Sequence, residues 1–324
     1  MSRNLTKLVV CSVLVILLFM VPLFVKGTYY LHVLVMAGIA VILASSLRLI
    51  FNTGLLSLGH GGMMSIGAYT SALLVMKLGF SSWAALWIGA AAAAVMAVIV
   101  GFPFIRLRGM YFSLVTVFFS QIISSIISQW KDVTGGTFGI YNIPGPDPIV
   151  IPGLLNIDFA SKVDFYYLIL LLVLFTLLVL YAIEHSRTGM TWLSIRQSDS
   201  LAEAVGVNTA GYKVLAFSIG AFFAGLAGAF FGQFISVITP SAFGFVYSVY
   251  VVVYMIVGGV NSFAGPIIGA IILVLLPESA RALKEYQPYL FTGVLILIIF
   301  FLREGLISLP QTLNKVYQKR KKHA

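Results

Sequence analysis

The sequence predicts an all-α, polytopic membrane protein of about ten transmembrane helices, some of them short or broken by glycine. Three observations carry that prediction. Hydrophobic residues make up 60% of the 324 positions and charged residues only 9%, against roughly 25% charged in a soluble domain. Apolar runs recur along the whole chain at the length of about 20 residues that a crossing needs. All ten acidic residues (Asp132, Asp147, Asp158, Asp164, Glu184, Asp199, Glu203, Glu278, Glu285, Glu304) fall between those runs, at their ends or in the tail.

The runs place crossings near Leu8–Val25, Tyr30–Leu47, Leu55–Met76, Trp83–Phe104, Tyr111–Trp130, Phe165–Ile183, Val214–Ile238 and Tyr289–Leu302. The first has the basic start of a signal peptide, Arg3 and Lys7. It is too long for a signal core, and Lys26-Gly-Thr-Tyr-Tyr follows where a small-x-small cleavage site would stand, so an uncleaved helix is expected. It also holds Cys11, the lone cysteine, which excludes a disulfide within one chain.

The stretch Phe245–Leu276 is too long for one upright crossing, and glycines interrupt it at "VGGVNSFAGP" (257–266). Charge separates the alternatives. With two short crossings here both termini lie inside, and 14 Lys and Arg are cytoplasmic against 6 outside; with one, the division is 10 to 10. Basic residues gather on the cytoplasmic side of membrane proteins, which favours ten spans. The same rule accounts for the net charge of +10 without nucleic acid. "GGMMSIGA" (61–68) and "GGVNSFAG" (258–265) share Gly-Gly-x-x-Ser-apolar. A parallel internal repeat would place both at the cytoplasmic start of an outward-running segment.

The chain shows no chemistry of its own. It has no Walker A sequence, no HExxH, no CxxC and no Gly-x-Ser-x-Gly. Ionisable groups inside a membrane are costly and mark ion-coupled carriers, and no Asp or Glu lies within an expected span. His32 reads as an interfacial residue. His60, between Gly59 and Gly61, reads as a packing or hydrogen-bonding residue rather than a proton relay. No metal or cofactor is implied, and energy for any transport must enter from a partner.

Residues 184–213 form the longest cytoplasmic loop, and within it "SDSLAEAVGVN" has the marks of a short capped helix. Ser200-x-x-Glu203 reads as a capping box. Leu201, Ala204 and Val205 share a face, and Gly206 is placed to end the helix in a left-handed conformation. So short a helix is unstable alone, so it either packs on its own bundle or enters a groove on a cytoplasmic partner.

These residues carry a family resemblance. "SRTGMTWLSIRQSDSLAEAVGVNTAGYKVLAFSIGAFFAGLAGAFFGQ" (186–233) resembles the cytoplasmic loop and following span of the permeases of ATP-driven (ABC) importers for branched-chain amino acids, the LivM type. "GLLSLGHGGMMSIGAY" (54–69), "GFPFIRLRGMYFSLVT" (101–116), "TGGTFGI" (134–140) and "VGGVNSFAGPIIGA" (257–270) agree in order.

The resemblance implies one permease domain, 1–324, in a prokaryotic inner membrane. Its partners would be a second, similar permease, two cytoplasmic ATPase subunits and an extracytoplasmic binding protein. Ser200, Leu201, Val205 and Gly206 would form a coupling helix, with Arg187, Arg196 and Glu203 at its rim. Residues 131–164 form an outer loop too apolar for a linker, so a folded cap is expected that either contacts the binding protein, through Phe138, Ile140 and Tyr141, or gates the outer mouth. Residues 303–324 form a basic cytoplasmic tail. Gly59, His60, Gly67, Tyr69, Gln121 and Gln233 are candidates for the translocation path, although glycines at such spacing serve close packing as well, and Tyr69, Gln121 and Gln233 could equally bridge helices. The implied substrates are leucine, isoleucine and valine. Related permeases move other amino acids or urea, and a partner-independent channel or carrier for a small neutral solute is the alternative of another class.

Overall fold

The computed structural model describes residues 16–24, 27–107, 109–151, 155–157, 159, 161–279 and 305–308, together with single positions 13, 292, 293, 296 and 300. Its helices, in chain order, are α1 (Thr28–Phe51), α2 (His60–Leu78), α3 (Ser82–Phe104), α4 (Met110–Gln129), α5 (Lys162–Glu184), α6 (Arg187–Gln197), α7 (Asp199–Ala204), α8 (Thr209–Ile235), α9 (Phe245–Gly258) and α10 (Gly265–Ser279). Six stretches among the described residues are long and apolar enough to span a membrane: α1, α3, α4, α5, α8, and α9 with the 3-10 turn before it. Part of the first expected crossing, Leu8–Val25, and most of the last, Tyr289–Leu302, lie outside the described residues. So does nearly all of the tail 303–324. The ten-span count and its charge division therefore reach beyond them.

Residues 184–213 gather at one end of the bundle, here the basic end, and the described residues of 131–161 at the other, the cap end. α1 and α8 form the centre, 83% and 72% buried over their most apolar windows. Helices that are apolar all round cannot be oriented by a stripe. What fixes them is backbone contact. A Cβ on Gly67 would stand 2.1 Å from the Gly225 carbonyl oxygen, one on Gly228 2.0 Å from that of Met64, and one on Gly89 2.6 Å from that of Gly67. Thus α2, α3 and α8 meet as small-residue surfaces, where dispersion rather than the hydrophobic effect supplies the attraction.

Phe245–Leu276 divides into α9 and α10, as its glycines suggested. Gly258 and Gly269 pack directly on backbone, 1.9 Å from Gly265 and 2.1 Å from Tyr254 by the same measure. The repeat is not supported. Gly61 and Gly62 lie in the first turn of α2, deep in the bundle, whereas Gly258 ends α9 at the basic end.

The expected crossing Leu55–Met76 differs in its first third. Residues 52–59 are not helical, and α2 begins only at His60. The Gly62 amide donates to Ser120 Oγ at 3.2 Å. Ser120 lies ten residues into α4, about 15 Å along it, so α2 starts halfway through the bundle. Asn52-Thr53-Gly54 turns the chain, with Gly54 at φ 83°, and 55–59 re-enter as irregular backbone. Such backbone survives at membrane depth only where protein satisfies it. Here α4 does so: Thr116 Oγ1 accepts from the Leu58 amide (3.0 Å) and Ser113 Oγ donates to the Leu56 carbonyl (2.6 Å).

The expected outer loop is a folded cap. It holds a helical turn (Lys131–Thr134), a 3-10 turn (Gly136–Phe138) and three short strands, β1 (Ile140–Tyr141), β2 (Ile149–Ile151) and β3 (Leu155–Ile157). β1 pairs antiparallel with β4 (Val237–Ile238), and β2 with β3. Asp147 anchors the cap, accepting from the Ser82 amide (2.7 Å) and from Ser81 Oγ (2.8 Å). An anion at a helix start is favoured by the orphan amides and the helix dipole.

Candidate functional site

At the basic end α6 is seated by Trp192, fully buried, whose Nε1 donates to the Tyr212 carbonyl at 2.9 Å. α7 follows after a one-residue break. Its N-cap is Ser198, not Ser200: Ser198 is extended, and its Oγ accepts from the Leu201 amide at 3.3 Å. Ser200 stands inside the first turn. Glu203 does not reach back to close a capping box but accepts from Thr209 Oγ1 at 2.7 Å. The helix starts two residues early because Asp199, at its first position, pairs with Lys213 of α8. Gly206 ends it as expected, at φ 86°, with the Val207 amide returning to the Ala202 carbonyl at 3.0 Å.

This places the short helix rigidly with its apolar side outward. Ala202 is buried, while Leu201 and Val205 are 69% and 80% exposed. Met190 and Leu193 of α6 are exposed too, and Arg187 is exposed beside them. Arg196 turns back to its own chain. Its guanidinium lies 4.4 Å over the Phe51 ring and donates to Asn261 Oδ1 at 3.4 Å. Burial, and after it the charge of Arg48, hold Arg196 below the ordinary arginine value.

Beneath Arg196 lies a pair that the sequence reading missed. Arg48 of α1 and Glu184, the last residue of α5, form a buried ion pair. Arg48 Nε donates to the Val260 carbonyl at 3.0 Å, and Asn52 Nδ2 to Glu184 at 3.2 Å. The α9–α10 turn is thus held by Arg48 from below and by Arg196 from the loop. The available signal was an arginine within the apolar run "SSLRLIF", where a charge needs a partner.

The path candidates fall in different places. Gly59 and His60 sit where α2 begins. His60 is buried, with Nε2 3.2 Å from Ser46 Oγ and Nδ1 without a partner. From the cap end residues 236–244 descend to meet this point, and the Gly61 amide donates to Ser248 Oγ of α9 at 2.9 Å. The first turns of α2 and α9 therefore face one another inside the bundle. The hydroxyls that hold this junction, Ser113, Thr116, Ser120 and Ser248, were not singled out in the sequence.

Gly67 serves the α2–α8 contact described above. Tyr69 donates to the Ile238 carbonyl at 3.4 Å, and Gln233 Nε2 donates to the Ser82 carbonyl at 3.1 Å while its Oε1 is buried without a partner. Both bridge elements, one of the two readings left open. Gln121 lies apart, on the outer face of α4. In the cap, Phe138 and Tyr141 are 76% and 50% exposed, but Ile140 is buried in the pairing with Ile238. A direct contact through Ile140 is therefore replaced by a supporting one. Among the described residues no cluster of His, Cys, Asp or Glu could hold a metal ion.

Residues 29–302 match the family described as branched-chain amino acid transport system / permease component. The chain is 32% identical over 307 residues to the high-affinity branched-chain amino acid transport system permease protein LivM of Escherichia coli (strain K12), covering 88% of this chain and 71% of that protein. LivM of Salmonella typhimurium is 31% identical over 297 residues, covering 85% and 69%. The permease protein LivH of Escherichia coli (strain K12) is 24% identical over 278 residues, covering 80% and 87%. No solved structure matches significantly.

Proposed function

The chain belongs to the family of permease components of branched-chain amino acid transport systems, and on that premise we propose that it is the membrane-crossing subunit of an ATP-driven importer of leucine, isoleucine and valine. In this reading a second permease completes the path. Two ATPase subunits dock under the basic end, and a binding protein delivers substrate at the cap. Both termini are cytoplasmic, in the inner membrane of a prokaryote.

The observation that supports this reading most is α7. A six-residue helix exposes Leu201 and Val205 to water while its other side is fixed by Ala202, the Asp199–Lys213 pair and a left-handed glycine. Exposed apolar side chains on a firmly seated helix fit a groove on a partner. Movement of α7 would pass through α6 and Arg196 to Asn261, and so to the α9–α10 turn. The α2–α9 junction, built of backbone and hydroxyl groups without a carboxylate or an ammonium, suits a zwitterion better than a lone ion.

The test is co-expression of the chain with its candidate partners, followed by purification and uptake of labelled leucine in proteoliposomes. The importer reading expects the partners to co-purify and uptake to require ATP and the binding protein. Uptake by this chain alone, without ATP, would contradict it.

A further inference from the structure

α4 has a second polar face that its own bundle does not use. Ser113, Thr116 and Ser120 point inward and hold the re-entrant segment. Gln121, Ser125 and Gln129 follow one another at every fourth position, so they stand in one row, and all three are exposed. Their side chains form no hydrogen bond among the described residues. With Phe118, Ile122 and Ile126 they line an open groove of about 720 Å³.

Such a row is out of place against lipid, where amides and hydroxyls find no partner. The neighbouring helices show what a lipid-facing surface of this protein looks like. Every exposed residue between positions 84 and 103 of α3, and between 163 and 180 of α5, is apolar. α4 is also the least buried of the candidate spans, at 28%. The described part of the N-terminal segment does not cover it, since Leu18 and Phe19 accept from Tyr166 and Tyr167 of α5.

We propose that the Gln121–Ser125–Gln129 row lines a water-filled substrate path, closed on its far side by the second permease subunit. The proposal rests on the importer reading above. Carboxamides both donate and accept, so a neutral row can pass the carboxylate and the ammonium of an amino acid in turn without holding either. The flanking Phe118, Ile122 and Ile126 offer contact to an aliphatic side chain. The chain's similarity to both LivM and LivH makes a partner permease of the same construction, with a polar face of its own, the fitting occupant.

Single cysteines at Gln121, Ser125 and Gln129, in a Cys11→Ser background and in the whole transporter, test this. Val95→Cys on α3 and Leu171→Cys on α5 serve as lipid-facing controls. The expected result is that Gln121→Cys and Ser125→Cys react with a membrane-impermeant methanethiosulfonate at least tenfold faster than the controls. Alkylated with a benzophenone maleimide and irradiated, at least one position of the row should cross-link to the second permease. Reaction no faster than the controls, or linkage only to a segment of the same chain, overturns the proposal. Leucine uptake by the Cys11→Ser transporter is measured alongside. Its absence counts against the importer reading, and the labelling pattern still decides whether the row faces water. Normal uptake with an inert row counts against this placement alone.

Discussion

Arg48 and Glu184, separated by 136 residues in sequence, pair inside the basic end with side chains 9% and 10% exposed. The pair joins α1 to α5, and through Val260 it holds the α9–α10 turn. A buried pair need not stabilise relative to an apolar one, but breaking it strands a charge, at a cost of about 3–5 kcal/mol. Glu184→Ala is therefore expected to lower permease abundance and thermal stability in detergent severely. The double variant Arg48→Met/Glu184→Met should recover much of both. A double variant as unstable as Glu184→Ala would show that the charge is not the cause.

Gly67→Ala should prevent normal assembly, because its Cβ would meet the Gly225 backbone at 2.1 Å and neither helix can yield locally. Gly232→Ala places its Cβ at an ordinary 3.4 Å from Ile238 and should be tolerated. Size-exclusion profiles of the two proteins, expressed together with their partners, check the contrast.

The spans were legible because hydrocarbon thickness imposes length, and glycines at 257–266 marked the α9–α10 turn. The re-entrant start of α2 was not. Leu55, Leu56 and Leu58 are apolar whether helical or not, and the groups that satisfy the irregular backbone come from α4, as Thr116 does for Leu58 across 58 residues. The start of α7 slipped by two positions for the same kind of reason. Ser198 and Ser200 are equally good local caps, and the Asp199–Lys213 pair that decides between them is tertiary. Gln121 was readable as polar at depth, but sequence does not say which side of α4 it occupies.

Ser198→Ala should destabilise α7 by about 0.5–2 kcal/mol, the ordinary cost of losing an N-cap, whereas Ser200→Ala should have little effect. Limited proteolysis of the 198–206 segment in the purified permease measures this. Equal susceptibility of the two variants would return the cap to Ser200.

The cap should face the binding protein from the side opposite α7. A cysteine at Phe138, in a Cys11→Ser background, should be labelled only from outside and one at Val205 only from the cytoplasm. Phe138→Ser with Tyr141→Ser should reduce stimulation of ATP hydrolysis by the loaded binding protein severalfold and leave the basal rate intact, since interface energy concentrates in a few anchors. Ile140→Ser should instead lower stability, because Ile140 is buried against Ile238. Labelling of both cysteines from one side would refute the topology.

The most direct measurement concerns the outward face of α7. Leu201→Asp and Val205→Asp each place a charge where docking would strip its water, at positions 69% and 80% exposed in the permease itself. Permease abundance, retention of the ATPase subunits on purification and leucine uptake are measured in the same membranes. Normal abundance with loss of both ATPase retention and uptake is the predicted result. Full uptake with either variant would contradict the assignment of α7 as the coupling contact.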